Sequence, residues 1–272
     1  MTFAIPFPMI DPVIFQVGPF AVRWYALAYI AGLMLGWWQM KRLVARSTDP
    51  SPALADEGLI DDFLVWATLA VVLGGRIGFI VFYQPGYYLA NPEMIFAVWR
   101  GGMSFHGGFA GVLVATWWFC RRRGIPVLVY ADLVAQVAPI GLFFGRIANF
   151  INGELWGRTT DVAWGVVFPR GGPDPRHPSQ LYEAALEGLV LYIILAWLAR
   201  RPGVQAHPGT VTGAFMIGYG IARGIVEIFR QPDSYVGFLA LGSTMGQWLS
   251  LPMVLAGIGF IVYARRRGAG GT

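Results

Sequence analysis

The chain has 272 residues, of which 56% are hydrophobic and only 13% are charged, and its mean hydropathy is +0.55. This composition excludes an ordinary soluble domain and predicts that lipid surrounds most of the chain. The net charge of +5 does not indicate a nucleic-acid partner, because the basic residues form short clusters at the ends of apolar runs and no single basic face.

Seven apolar segments are long enough, or nearly so, to cross a bilayer core about 30 Å thick. They lie near Trp24–Met40, Asp62–Phe82, Ser104–Cys120, Val127–Phe144, Ala184–Ala199, Thr210–Phe229 and Met245–Ala264. With no soluble linker or repeat between them, the sequence predicts a single all-α membrane domain over residues 1–272. Met1–Val22 carries four prolines and no Lys or Arg, so no cleaved signal peptide is expected there.

Basic clusters follow every second predicted span. They are Lys41, Arg42 and Arg46; Arg121, Arg122 and Arg123; Arg200 and Arg201; and Arg265, Arg266 and Arg267. Because cytoplasmic loops carry the excess of Lys and Arg, these clusters predict a periplasmic N-terminus and a cytoplasmic C-terminus. The longest connection, a polar segment at residues 145–183, then lies on the outer side, where it must be covered by protein or line a water-filled cavity.

Two glycine-rich motifs carry polar residues that are costly inside a membrane. Arg76 lies in the sequence GGRIG of span two, where glycines allow a second helix to approach closely. It either serves function or pairs with a carboxylate to hold two helices together. His106 lies between glycine pairs at the start of span three. Its ordinary pKa of about 6.5 suits a general base, and the alternative is a plain hydrogen-bonding residue near the interface.

The richest polar segment is GRIANFINGELWGR, at residues 145–158. Arg146 and Asn149 are three residues apart and share one helix face. The polar residues that follow, where glycines would break the helix, are Asn152, Glu154 and Arg158. Because Arg binds phosphate in a bidentate manner, this segment indicates a site for an anionic headgroup.

A polar stripe runs along span six, where Tyr219, Arg223 and Glu227 are spaced four apart. Arg223 and Glu227 either neutralise each other or form the wall of a site, and the small residues between them favour a tightly packed helix that faces a cavity.

A fifth polar motif lies where span five begins. Gln180, Glu183 and Glu187 are placed to share one face. Ser179 lacks the Gly-x-Ser-x-Gly setting of a hydrolase nucleophile. We interpret this motif as the start of a helix that supports the site from behind.

Together these motifs resemble the prolipoprotein diacylglyceryl transferase family. The matching segments, in chain order, are GGRIGFIVFY around Arg76, SFHGG at 104–108, GRIANFINGELWGR at 145–158, HPSQLYEA at 177–184 and RGIVEIFR at 223–230. The resemblance implies transfer of the diacylglyceryl group of phosphatidylglycerol to the lipobox cysteine of a preprolipoprotein, forming a thioether and releasing glycerol phosphate. It also implies membrane lipids and lipobox signal peptides as partners, a multi-pass location in the bacterial inner membrane, and no metal or organic cofactor.

The resemblance also implies roles for individual residues. His106 is the candidate base for the thiol, unless nearby arginines lower the thiol pKa directly. Arg146 and Arg223 would bind the phosphate and stabilise its charge as it leaves. The residues expected to bind or orient the substrate are Tyr25, Arg76, Asn149, Asn152, Glu154, Arg158, Tyr219 and Glu227. Among these, Tyr25 matches a family tyrosine near the first span, and its alternative role is that of an interfacial aromatic.

Two other classes of function are weighed against the transferase. A secondary transporter also has many helices with buried Arg and Glu, but it is expected to show paired, related halves, and none is found. An intramembrane protease would need a Ser-His or Asp-Asp arrangement within the spans, and the sequence offers neither.

Overall fold

The computed structural model describes residues 4–18, 20–46, 58–98, 101–232, 239 and 242–269, and most of these are helical. The helices are α1 (Trp24–Ala45), α2 (Leu59–Phe82), α3 (Pro85–Ala90), α4 (Phe105–Arg123), α5 (Val127–Ile151), α6 (Ser179–Glu183), α7 (Leu191–Leu198), α8 (Pro202–Gln205), α9 (Thr210–Val226) and α10 (Met245–Ala269). A 3₁₀-helix covers Pro92–Phe96, and a π-helical stretch at Ala184–Val190 joins α6 to α7. Each of the seven predicted spans therefore coincides with a helix.

Four helical stretches are long and apolar enough to cross a membrane. They are Leu59–Phe82, Val127–Ile151, Ser179–Leu198 and Met245–Arg267. Only 11% to 33% of the residues in their apolar windows are buried inside the protein. Their apolar side chains therefore face outward, as expected of helices in lipid. The chain is a membrane protein, and a sevenfold crossing stays a prediction.

Several helix boundaries differ from those predicted, and two of the differences concern the polar segment at residues 145–183. Helix α5 continues beyond Phe144 to Ile151, and the fifth apolar helix begins at Ser179 and not at Ala184. The prediction stopped short because it kept charged and amide side chains out of the spans. The structure keeps them within the helices, because oppositely charged partners on neighbouring helices compensate them.

Four short strands depart from the all-α prediction. β2 (Val13–Val17) and β3 (Phe20–Arg23) form an antiparallel pair that leads into α1, and β1 (Ile5–Pro6) lies parallel to β4 (Val166–Val167). The β1–β4 pair is only two residues long, so it leaves no period-2 pattern in the sequence.

The chain forms two compact units, the first made of Met1–Trp38 and Asp132–Thr272 and the second of Gln39–Ala131. In the second unit α2 and α4 pack with their backbones in contact. A Cβ atom added at Gly74 would overlap the carbonyl oxygen of Gly107, and one added at Gly111 would overlap that of Ala70. The prediction that the glycines around Arg76 admit a second helix is confirmed.

In the first unit the start of α9 is fixed by a carboxylate on α5. Asp132 Oδ2 accepts a hydrogen bond from the Gly209 amide at 2.8 Å, and Oδ1 accepts from the Thr212 amide and hydroxyl at 2.7 and 2.6 Å. A carboxylate at a helix N-terminus satisfies donors that the helix leaves unpaired. The first turn of α9 thus lies beside the start of α5, and the last turns of both helices lie at the opposite end of the unit.

Candidate active site

A cluster of buried charges lies at that opposite end of the first unit. Arg146 comes from the last turns of α5, and Arg223 from the last turn of α9. Glu183 ends α6, and Glu187 follows in the π-helical stretch; both are fully buried. Four different stretches of backbone therefore bring their ionisable groups to one place.

The arginines and glutamates of this cluster pair with one another. Arg146 Nη1 lies 3.5 Å from Glu183 Oε2, and its Nη2 lies 3.4 Å from Glu187 Oε2. Arg223 Nη1 pairs with Glu183 Oε1, and its Nη2 lies 2.5 Å from Glu227 Oε1. The interpretation that Glu227 holds Arg223 is consistent with this contact. Charges buried in this way need such partners, because removal from water is costly.

The two predicted phosphate-binding arginines are not saturated by these contacts. Arg146 makes one hydrogen bond, from Nη2 to Glu187, although a guanidinium carries five N–H donors. No other described residue accepts a hydrogen bond from it. The side chains of Arg146 and Arg223 remain 17% and 16% exposed, whereas the glutamate behind them is not exposed at all. Each arginine side chain therefore remains partly accessible to an anionic ligand.

Three of the predicted substrate-binding residues form a second, adjoining group one turn beyond Arg146. Tyr25 Oη donates a hydrogen bond to Glu154 Oε1 at 2.7 Å, and Asn149 Nδ2 donates to the same oxygen at 2.9 Å and also to Tyr25 Oη. The group joins the start of α1, the last turn of α5 and the loop after it. Such a set of hydroxyl, amide and carboxylate groups suits the binding of alcohol groups.

The loop that carries Glu154 is held from behind by the start of α6. Gln180 Nε2 donates to the Glu154 carbonyl oxygen at 2.5 Å, and Ser179 Oγ donates to that of Leu155 at 3.0 Å. Leu155 has a φ of 57°, a left-handed conformation that is uncommon for a side chain of this size. The supporting role inferred for this motif is consistent with these bonds, and the strained turn fixes the position of the Glu154 carboxylate.

The contacts of two further predicted residues, Arg158 and Asn152, involve backbone carbonyl groups. Arg158 Nε donates to the Arg230 carbonyl oxygen at 3.0 Å, and its Nη2 donates to that of Glu227 at 3.2 Å. The Asn152 carbonyl oxygen accepts from Arg170 Nη2 at 2.7 Å. Arg158 thus ties the loop after α5 to the end of α9, and roles of Arg158 and Asn152 in binding substrate stay predictions.

Tyr219 belongs to the wall beside the charge cluster. Its ring stacks on Phe215 with centroids 6.0 Å apart, and it packs against the apolar cluster of Leu191, Leu195 and Val211. The face of α9 that carries Arg223 is therefore closely packed at Tyr219. Its predicted contact with substrate remains a prediction.

Arg76 lies in the second unit, and its five N–H groups all donate to backbone. The acceptors are the carbonyl oxygens of Met94, Ile95, Ala97, Gly101 and Gly102, at 2.5 to 3.4 Å. These bonds favour the alternative in which Arg76 holds the structure together. Its partners are carbonyl oxygens and not the carboxylate that was expected. A cavity of about 270 Å³ adjoins this guanidinium. Its predicted role in binding substrate rests on the resemblance alone, since no donor is left over.

His106 is also in the second unit, in the first turn of α4. The residue is exposed and its ring contacts that of Phe105, with centroids 5.7 Å apart. No hydrogen bond joins it to another described residue, so the imidazole is not committed to a structural role. Its assignment as the base stays a prediction.

The loop between α5 and α6 contains a second histidine in a hydrogen-bonded chain. Trp164 Nε1 donates to Tyr182 Oη at 2.7 Å, and Tyr182 Oη lies 3.1 Å from His177 Nδ1. Burial lowers the pKa of His177 below its ordinary value, against the opposite effect of the Asp161 carboxylate. The neutral imidazole can accept a hydrogen bond from the Tyr182 hydroxyl through Nδ1. These hydrogen bonds are therefore a structural feature of the loop.

The sequence reasoning left three charged residues out of the site. Glu183 and Glu187 were interpreted only as support, and Arg230 was not singled out, although its Nη1 lies 3.0 Å from Glu183 Oε1. The available signal was the pair of glutamates spaced four apart in an apolar segment. Such a pair is costly in a membrane unless cations on other helices meet it.

Gly246, in the first turn of α10, sets the position of Glu227. A Cβ atom added at Gly246 would overlap the Glu227 carboxylate. We expect Gly246→Ala to push that carboxylate away from Arg223 and to lower kcat roughly tenfold, the equivalent of about 1.4 kcal/mol. The measurement is kcat per folded protein. Gly259→Ala, in the same helix with open space around it, is the matched control, and equal kcat values for the two variants would contradict the prediction.

Comparison with known proteins supports one family. A family model described as prolipoprotein diacylglyceryl transferase matches residues 12–263. A phosphatidylglycerol-prolipoprotein diacylglyceryl transferase from Rhodospirillum rubrum is 60% identical over 267 residues, which cover 98% of this chain and 96% of that protein. Proteins of the same name from Paramagnetospirillum magneticum and Azospirillum brasilense are each 57% identical, over 99% and 98% of both chains respectively. The chain belongs to the prolipoprotein diacylglyceryl transferase family.

Proposed function

We propose that this protein transfers the diacylglyceryl group of phosphatidylglycerol to the thiol of the lipobox cysteine of preprolipoproteins. The sulfur attacks the carbon of the diacylglyceryl group that carries the phosphate oxygen. The bond between this carbon and that oxygen breaks, and glycerol phosphate leaves with the bonding electrons. The product is a thioether. The names of the relatives support phosphatidylglycerol and prolipoprotein as the substrates.

The observation that carries the proposal is a pair of partly exposed arginines backed by buried glutamates. Negative charge builds up on the phosphate as it leaves, and preorganised donors aimed at that charge lower the barrier. Arg146 and Arg223 are held by buried glutamates, and their side chains remain partly exposed. The adjoining Tyr25, Asn149 and Glu154 would then orient the hydroxyl groups of the glycerol headgroup.

The thiol must also lose its proton. A free cysteine has a pKa of about 8.5, so only a small fraction is thiolate at neutral pH. We assign this step to His106, which is exposed and carries no hydrogen bond to a described residue. The alternative is that the positive field of the arginines lowers the thiol pKa.

We further propose that one membrane domain crosses the bacterial inner membrane seven times, with a periplasmic N-terminus and a cytoplasmic C-terminus. In the second unit Lys41 lies 3.1 Å from Asp61, and Arg123 pairs with Asp62. The ends of α1 and α4 therefore lie beside the start of α2. In the first unit α9 and α10 are antiparallel, since Gly213 faces Gly257 and Gly220 faces Ser250. Both arrangements support the predicted alternation of basic clusters.

The proposal is tested with the purified protein, labelled phosphatidylglycerol and a lipobox peptide that carries either Cys or Ser. We expect a thioether product with the Cys peptide only, because a serine hydroxyl is a far weaker nucleophile at neutral pH. His106→Ala in the same assay separates the two routes to the thiolate: loss of activity supports the base, and retained activity assigns activation to the arginines. A folded wild-type protein that modifies no peptide with any lipid would reject the transferase, and lipid or solute transport would be tested next.

A further inference from the structure

One carboxylate lies at the centre of the charge cluster. Glu183 Oε1 accepts hydrogen bonds from Arg223 Nη1 and from Arg230 Nη1, the latter at 3.0 Å. Its Oε2 lies 3.5 Å from Arg146 Nη1. The side chain is fully buried, so a single group on α6 meets arginines from α5, from α9 and from the segment after α9.

The other glutamates of the cluster do not join these arginines in the same way. Glu227 pairs with Arg223 and Arg230, which are its near neighbours in the chain. Glu187 also contacts Arg146 and Arg223, at 3.4 and 3.8 Å, but among the described residues it makes no such contact with Arg230, the arginine after α9. Among the described residues, Glu183 alone contacts all three arginines.

Two guanidinium groups that bind one phosphate must be close together, although their like charges repel each other. A negative charge between them on the buried side offsets that repulsion and fixes their spacing. Fixing the donors in advance is also what allows them to stabilise a developing charge without reorganisation. The partial exposure of the Arg146 and Arg223 side chains, in contact with a fully buried Glu183, fits this arrangement.

We propose that Glu183 is a positioning residue that holds Arg146 and Arg223 at the spacing required by one headgroup phosphate. This inference rests on the proposed transferase function. Glu183 makes no contact with substrate in this mechanism and acts through the two arginines.

The test compares Glu183→Gln with wild type. Glutamine keeps the shape of the side chain and one acceptor oxygen, and it loses the charge and the second oxygen that faces Arg146. We expect kcat/KM for phosphatidylglycerol to fall roughly tenfold per folded protein. We also expect phenylglyoxal, an arginine-directed dicarbonyl, to modify Arg146 faster in this variant, as measured by mass spectrometry of its peptide.

Asp132→Asn provides the matched control, because it neutralises a partly buried carboxylate that binds a helix start and touches none of these arginines. It should lower the melting temperature and leave both kcat/KM and the modification of Arg146 unchanged. A purely structural role for Glu183 predicts that the two variants behave alike. That result, or wild-type kinetics and modification in Glu183→Gln, overturns the inference.

Two further arms keep the outcomes distinct. If Glu183→Gln does not fold, Glu183→Asp is tested in its place, since it keeps the charge but draws it back by one methylene. A kcat/KM of Glu183→Asp equal to that of wild type would then overturn the inference. If wild type itself forms no thioether, the proposed function fails. The phenylglyoxal reaction needs no substrate and still decides whether Glu183 positions Arg146.

Discussion

Replacing Arg223 by alanine is expected to lower kcat for thioether formation by roughly 10²- to 10³-fold, the effect of removing one preorganised donor from a developing anion. Arg223 is held between Glu183 and Glu227, and its side chain remains partly exposed. Arg223→Lys should recover only part of the activity. A lysine ammonium group lacks the planar, forked set of donors with which a guanidinium binds two carboxylates and a phosphate at once. Steady-state kinetics with labelled phosphatidylglycerol measures both variants.

The loss must be separated from unfolding, since removal of Arg223 leaves buried carboxylates without a partner and is destabilising. Rates are therefore normalised to the protein that remains folded, by size-exclusion chromatography and thermal melting in the same detergent. Arg200→Ala, at an exposed arginine after α7, controls for the loss of one positive charge and should keep wild-type kcat. Folded Arg223→Ala with a kcat within about threefold of wild type would remove this arginine from the phosphate site.

Much of the site was predictable because polar groups are costly in a membrane. Arg146, Asn149 and Arg223 stand out in apolar segments, and the structure places Arg146 and Arg223 around common glutamates. The helical positions of all seven apolar segments were also predicted, since length and hydropathy are local properties of the sequence.

The partners of these residues were harder to predict. Glu183 and Arg223 are 40 residues apart in the chain, and nothing in the local pattern states which helices are neighbours. Arg76 shows a different limit. Its partners are backbone carbonyl oxygens within a 3₁₀-helix and after it, and a carbonyl acceptor has no residue type by which the sequence would reveal it.

The glycines of α2 and α4 lead to the largest expected effect on stability. At Gly111 an added methyl group would overlap the carbonyl oxygen of Ala70. The obstacle is backbone, which no change of rotamer can move aside, and in lipid close backbone packing is a main source of helix association. We expect Gly111→Ala to force the two helices apart and to destabilise the second unit by about 3 kcal/mol, at the upper end of overpacking effects.

Thermal unfolding in detergent, followed by the loss of helical circular dichroism, measures this change. Ala110→Leu provides the control, because it adds a larger group to the neighbouring, exposed position of the same helix and should leave the melting temperature unchanged. Since Arg76 and Gly74 both belong to α2, separation of α2 from α4 should also expose residues 94–97 and 101–102, which Arg76 holds, and limited proteolysis should cut there first. Equal melting temperatures for Gly111→Ala and wild type would show that α2 and α4 do not pack through these glycines.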